Sequence, residues 1–115
     1  MASDCLFCKI AAGEIPSTRV HSDEELYAFR DINPAAPQHI LLIPRQHVQS
    51  VAHLEDQHAA VMGKLMVMAG KIAEQEGFAE QGFRCVVNTG SDGGQTVDHL
   101  HLHLLAGRHL TWPPG

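Results

Sequence analysis

Residues 98–105 read Asp-His-Leu-His-Leu-His-Leu-Leu, and this alternation restricts the fold more than any composition figure. A β-strand sends successive side chains to opposite faces. As a strand, the segment puts His99, His101 and His103 on one face and Leu100, Leu102 and Leu104 on the other. A helix would scatter the three imidazoles over more than half its circumference. The leucines then face a core. Same-face rings sit about 6–7 Å apart, from a rise of about 3.3 Å per residue.

Histidine is in excess, chiefly as this local cluster rather than as a general bias of composition. There are nine, against eight lysines and arginines combined. Imidazole titrates near neutral pH, attacks as a neutral nucleophile and binds metals. Thirteen acids leave a formal charge of −5, which speaks against a basic nucleic-acid-binding face. With 115 residues the expected organisation is one domain over 1–115. Apolar runs such as Ile40 to Ile43 fall far short of the roughly 20 residues of a membrane span. The N-terminus, Met1-Ala2-Ser3-Asp4, lacks the basic and apolar regions of a secretory signal. Three cysteines, an odd number, fit a reducing cytoplasm better than a disulfide framework.

Local signals predict a short helix from Cys5 to about Ala12, capped by Asp4 and ended by Gly13. Thr18 to Ser22 and Glu25 to Arg30 read as strands around a polar turn. Asp31 to Pro37 reads as a loop, because two prolines fix φ and remove donors. His39 to Ile43 is an apolar strand stopped by Pro44. Val61, Leu65, Met68 or Ala69, and Ile72 recur at helical spacing, predicting a helix from about Glu55–Asp56 to Gly77. Gly63 and Gly70 lie on nearly one helical face, which suggests close approach by another element. Phe83 to Asn88 and Val97 to Leu105 are the last strands, separated by a flexible Gly90–Gly94 turn. Trp112-Pro113-Pro114-Gly115 is an extended tail. The expected class is α+β: a five-stranded antiparallel sheet with one long and one short helix, the long helix covering one face.

Two chemistries suit three imidazoles on one face. They could bind a metal, or one could attack phosphorus while another assists. The blander reading is a polar sheet face that happens to be rich in histidine. Nearby Asn88, Gly93-Gly94, Gln95 and Thr96 offer amides, a hydroxyl and close backbone approach. Neutral donors of this kind suit phosphate oxygens and are poor zinc ligands. Cys5-x-x-Cys8 is half of a zinc knuckle, and His47 could supply a third ligand. Two reduced cysteines packed in a helix are the plain alternative. Cys85 reads as core, and His21, His53, His58 and His109 as surface or packing residues.

Gly94 to Leu105 matches the pattern His-φ-His-φ-His-φ-φ, with φ apolar. Together with Cys5-Leu6-Phe7-Cys8-Lys9-Ile10, Asp31-Ile32-Asn33-Pro34, His39 to Pro44, Val86-Val87-Asn88 and Trp112 to Gly115, the chain resembles the histidine triad (HIT) superfamily. The short chain and the Trp-Pro-Pro-Gly tail favour its Hint branch, the histidine triad nucleotide-binding proteins and purine nucleoside phosphoramidases. The resemblance implies a homodimer whose sheets join into ten strands. It also implies hydrolysis of adenosine 5′-monophosphoramidate and similar purine substrates to the nucleotide and an amine.

By the same resemblance, His101 is the nucleophile that forms a covalent nucleotidyl-histidine. His103 binds phosphate and assists the leaving group, while His39 and His99 orient and polarise the set. Thr96 bonds the leaving amine, and Asn88 and Gln95 contact the phosphate or its ribose edge. Asp31 accepts from the ribose hydroxyls, and Leu6, Phe7, Ile10, Phe29 and Ile32 line the purine slot. Flat apolar walls suit a purine, although core packing would equally explain the aromatic and aliphatic residues, and a turn would explain Asp31. A structural zinc on Cys5, Cys8, His47 and His99 is implied, with no catalytic cofactor. Asp98 stands where some relatives carry an aromatic and is expected to point away from the triad. Rival readings are a nucleotide-binding scaffold without relevant turnover, a three-histidine metalloenzyme, a dinucleoside polyphosphate hydrolase and a nucleotidyltransferase.

Overall fold

A computed structural model describes residues 4–115. Residues 1–3, part of the segment read as lacking a secretory leader, lie outside the described residues. Helix α1 (Leu6–Ala11) precedes strands β1 (Arg19–Ser22), β2 (Leu26–Arg30) and β3 (Gln38–Pro44). Two 3-10 turns, Val51–His53 and Asp56–His58, lead into helix α2 (Ala59–Gln75). Strand β4 (Arg84–Val86), the single-turn helix α3 (Gly90–Gly93) and strand β5 (Leu102–Ala106) complete the order. The strands form one antiparallel sheet in the order β1-β2-β3-β5-β4, the expected α+β arrangement.

Alternation along the strands divides the apolar residues between two layers. Leu26, Ala28, Ile40, Leu42, Leu102 and Leu104 face Leu65, Ala69, Ile72 and Ala73 of α2. Full burial of each large aliphatic side chain stabilises the fold by about 1.5–3 kcal/mol. On the opposite face Tyr27, Phe29, Leu41 and Ile43 pack against Phe7 and Ile10 of α1. Pairing of Leu41 with His103 and of His39 with Leu105 brings the histidines into this second, thinner layer.

Several local expectations are corrected. Asp4 does not cap α1: the Sγ of Cys5 accepts from the Cys8 N–H at 3.3 Å. The thiol is the nearer acceptor because Cys5 itself holds the extended cap conformation. Helix α2 starts at Ala59, since a capping box between Glu55 and His58 closes a separate 3-10 turn before it. Gly63 and Gly70 meet no neighbouring element: a Cβ at either would have nothing within 4 Å. The Gly90–Gly94 segment is a helical turn, Gly90–Gly93, ended by Gly94 at φ +84°.

The last strand is also shorter than Val97 to Leu105. Its register pairs Leu42 with Leu102, so continuing it would set Leu100 opposite Pro44. Proline has no N–H to donate, and the Pro44 carbonyl accepts from the His99 ring instead. The ladder therefore stops, and the Leu100 N–H donates to Val48 O at 2.7 Å. The lead-in to β5 still buries Leu100 on the α2 side.

Candidate active site

Every ring of the histidine cluster has one nitrogen fixed by the backbone or by a neighbouring ring. The Nδ1–H of His101 donates to His99 O at 2.7 Å. A carbonyl can only accept, so neutral His101 keeps its lone pair on Nε2. The Ala35 N–H donates to His39 Nδ1 at 2.9 Å, which leaves the His39 proton on Nε2. That proton is donated to His103 Nδ1 at 2.9 Å, so the proton of His103 sits on Nε2. The His99 Nε2–H donates to Pro44 O at 2.8 Å, and its Nδ1 lone pair faces Cys5 and Cys8. These tautomers follow from obligate donors and acceptors in the network.

The rings are also packed. His101 and His103 lie 4.9 Å apart between centroids, and Phe7 meets His101 edge-on at 5.0 Å and 89°. His99 is fully buried, and His39 and His101 nearly so. Burial pushes His99 and His103 down to about 4, with neighbouring histidine charge adding to the effect. Burial also lowers His39, opposed by Asp31 and reinforced by His101. These rings are neutral at neutral pH, the form in which an imidazole can attack.

Asp31 has one oxygen taken and one facing the cluster. Its Oδ1 accepts from the Asn33 N–H at 2.8 Å, an Asx turn, and its Oδ2 lies 3.5 Å from His39 Nε2. Asp31, His39 and His103 thus place three donor atoms together. However, His39 Nδ1 already accepts from Ala35, so its Nε2 holds a proton rather than a free lone pair for a metal.

Leu6, Phe7, Ile10, Phe29 and Ile32 line one cavity of about 180 Å³, with Ile15, Pro16, Ser17, Arg30 and Leu41. Phe7 lines this cavity and also meets His101 edge-on, so one aromatic ring links the apolar slot to the candidate nucleophile. Ile32 is 91% exposed, an apolar edge with no protein cover. Leu41 was legible in principle, because it shares a face with His39 by strand alternation. Ile15, Pro16 and Ser17 were not, since they reach the slot through an irregular connection. A larger groove of about 680 Å³ between the β1–β2 turn and α2 contains no histidine.

The polar residues before the triad divide into two groups. Gln95 is a brace: its Oε1 accepts from the Gly90 N–H, and its Nε2 donates to Gln49 O and Val97 O. Its two N–H donors are used inside the protein, so its effect on a ligand runs through the 90–97 loop. Asn88 lies against the following turn, where a Cβ on Gly94 would be 3.8 Å from its Nδ2. Thr96 and Asp98 are exposed on the segment leading to His99. Asp98 is outside any strand, so the expectation that it points to the face opposite the triad has no ladder to enforce it.

Cys5, Cys8, His47 and His99 bring four ligand atoms within 4.8 Å of one another. His99 Nδ1 lies 3.2 Å from Cys5 Sγ and 3.4 Å from Cys8 Sγ, and His47 Nδ1 lies 3.5 Å from Cys8 Sγ. A tetrahedral zinc with ordinary bond lengths has sulfur–nitrogen edges of about 3.6 Å. The His99 bond to Pro44 O is the outer contact that usually orients a ligating imidazole. These residues therefore fit a Cys2His2 zinc. Burial pushes the Cys8 thiol up to about 11, with Cys5 adding to the shift, so loading a cation would displace bound protons. The ring of His99 belongs to this second centre and its carbonyl to the first.

The HIT domain profile matches residues 12–110. The purine nucleoside phosphoramidase of Escherichia coli K12 is 48% identical over 110 residues, covering 96% of this chain and 92% of that protein. A 14 kDa zinc-binding protein of Zea mays is 49% identical over 115 residues, covering 98% and 89%. The crystal structure of a HIT family hydrolase from Legionella pneumophila superposes with a TM-score of 0.95 at 50% identity, covering 96% of this chain and 99% of that one.

Proposed function

The chain belongs to the HIT domain family, and on that premise we propose that it is a purine nucleoside phosphoramidase. It hydrolyses the P–N bond of adenosine 5′-monophosphoramidate and related substrates through a nucleotidyl-His101 intermediate. The observation that carries the reading is the fixed tautomer of His101, whose Nδ1–H is held by His99 O. The phosphoramidase name of a relative that shares almost the whole chain supports the choice of substrate.

In this reading the purine lies in the slot walled by Phe7, Ile10, Phe29, Leu6 and Ile32, and Asp31 accepts from the ribose hydroxyls. The lone pair of His101 Nε2 attacks phosphorus. A P–Nε2 bond forms, the P–N bond to the amine breaks, and its electron pair leaves with the amine nitrogen, which takes up a proton from solvent water. Thr96 bonds the departing amine. His103 donates its Nε2–H to a phosphate oxygen, and Asn88 with the Gln95-braced loop holds the others. The nucleotidyl-imidazolium carries a positive charge that the Nδ1–H bond to His99 O stabilises. Water then attacks phosphorus, a P–O bond forms as the water's proton passes to solvent, the P–Nε2 bond breaks, and the lone pair returns to His101. Phosphoryl transfer of this kind asks the protein mainly for positioning and electrostatics.

A structural zinc on Cys5, Cys8, His47 and His99 belongs to the same proposal, supported by the donor spacing and by the zinc-binding name of the maize relative. It would cross-link α1 to the lead-in of β5, and no reaction step passes through it. Residues 1–115 act as one domain that pairs as a cytoplasmic homodimer. The edge position of β4 in the sheet supports a ten-stranded joint, and exposed Met66 and Val67 on α2 offer apolar surface. No helix among the described residues is long and apolar enough to cross a membrane. Partners other than the purine nucleotide and the second copy, including nucleic acid, are not part of this reading.

The test is turnover of adenosine and guanosine phosphoramidates beside a dinucleoside polyphosphate. Release of amine and nucleoside monophosphate from the phosphoramidates supports the proposal. Cleavage of the dinucleoside polyphosphate alone would assign the chain to that hydrolase class, and tight AMP binding without any turnover would make it a scaffold.

A further inference from the structure

Residues 34–37 reach the histidine cluster through their backbone. The Ala35 N–H donates to His39 Nδ1, and His39 Nε2–H donates to His103 Nδ1, both at 2.9 Å. One backbone amide thereby sets the tautomer of two rings. The segment that carries this amide is held from the end of β5 by two separate contacts. Arg108 Nη2 donates to Ala35 O at 3.1 Å. Gly107 lies against Pro37, where a Cβ would come 2.7 Å from Pro37 Cβ and 3.4 Å from Gln38 N. Its φ of +97° also favours glycine. His103, Gly107 and Arg108 lie within six consecutive residues. The stretch that presents His103 therefore also grips the segment that sets its tautomer.

We propose that Gly107 and Arg108 are positioning residues that clamp residues 34–37, so that the Ala35 amide keeps His39 in its Nε2–H form and His103 as an Nε2–H donor toward the reacting phosphate. The inference rests on the reading of His101 and His103 as the reacting pair. Neither clamp residue lines the apolar slot. With the clamp loosened, the Ala35 amide turns away and His39 is free to carry its proton on Nδ1. Its Nε2 then becomes an acceptor, and His103 must answer with Nδ1–H. His103 would now aim a lone pair at an anionic phosphate instead of a proton. Base and ribose contacts are unchanged, so kcat falls while KM holds.

The experiment compares the full chain with Arg108→Ala and Arg108→Lys, each labelled with ¹⁵N-histidine. Long-range ¹H–¹⁵N spectra report which ring nitrogen of His39 and His103 is protonated, and steady-state kinetics use adenosine 5′-monophosphoramidate. The expected result in Arg108→Ala is an Nδ1–H population at both rings and a kcat lower by about three- to tenfold, the scale of one ordinary hydrogen bond. KM should change by less than about twofold, and Arg108→Lys, which can still donate to Ala35 O, should recover most of kcat. Gly107→Ala, which displaces Pro37 directly, should give the same nitrogen pattern. Wild-type nitrogen shifts in Arg108→Ala would overturn the clamp, whatever happens to kcat. Absence of turnover in the unaltered chain would instead refute the phosphoramidase reading, and the nitrogen shifts would still decide the clamp.

Discussion

Replacing Phe7 by Ala separates a base-binding role from plain core packing. Phe7 is 5% exposed and meets Phe29 edge-on at 5.4 Å and 74°, and His101 at 5.0 Å and 89°. Such edge contacts add about 0.5–1.5 kcal/mol each beyond burial, and Phe→Ala in a core costs about 3–5 kcal/mol altogether. The lower end applies here, because the slot ends at exposed Ile32 and water can enter the space left behind. A loss of about 3 kcal/mol leaves a domain of ordinary stability folded. Losing one aromatic wall against a flat base is worth about 1–3 kcal/mol, so the Kd for AMP should rise by about fivefold to about 150-fold. Urea unfolding and calorimetric titration with AMP on the same preparation measure both effects. Phe7→Leu, closer in size and shape, should cost about 1.5 kcal/mol or less and keep most of the affinity. If Phe7→Ala loses the stability but binds AMP like the unaltered chain, the slot is core and the purine binds elsewhere.

Three further outcomes follow from the same geometry. Metal analysis should find one zinc per chain, and Cys8→Ser should lower both the zinc content and the thermal midpoint; equal metal content in that variant would remove the Cys2His2 assignment. His103, which is not one of the proposed zinc ligands, is held near 4 in the fold against an unfolded value of about 6.5. Unfolding therefore takes up protons, and stability should fall as pH drops from about 6.5 toward 4, then level off. His103→Asn should flatten part of that slope in urea titrations, and an unchanged slope would contradict the cause given for it. Gln95→Ala removes the brace on Gly90, Gln49 and Val97. Amide exchange across 90–97 should quicken and kcat/KM should fall by about tenfold, since several bonds worth about 0.5–1.5 kcal/mol each are lost in part to water. Unaltered protection of that loop would show that the brace is not what orders it.

Period-2 alternation was enough to place His101 and His103 on one layer and Leu100, Leu102 and Leu104 on the other, because burial on the α2 face enforces it. The order and type of the main elements were legible for the same reason: Leu65, Ala69 and Ile72 recur at helical spacing and are buried together. What a linear reading missed depends on contacts between distant segments. The early end of the β5 ladder comes from Pro44 lying opposite Leu100, and the capping of α1 by Cys5 depends on which acceptor lies nearer the Cys8 amide. At the site, ligand types were readable but their partition was not. His99 turns its ring to the cysteines and its carbonyl to His101, a division set by the Pro44 hydrogen bond. Gln95 looked like a phosphate ligand, yet its amide is occupied by three backbone groups that no local pattern announces.

The claim at the centre is that His101 Nε2 bonds to phosphorus. Rapid acid- or base-quenched mixing with adenosine 5′-monophosphoramidate, followed by peptide mass analysis, tests it most directly. The account predicts an adenylyl group on the peptide containing His101 during turnover, at the ring Nε2 and stable to base but not to acid. It also predicts no such adduct and no hydrolysis in His101→Gly, which should still bind AMP. Hydrolysis by His101→Gly at the rate of the unaltered chain, or an adduct at His103 or His99 instead, would contradict it.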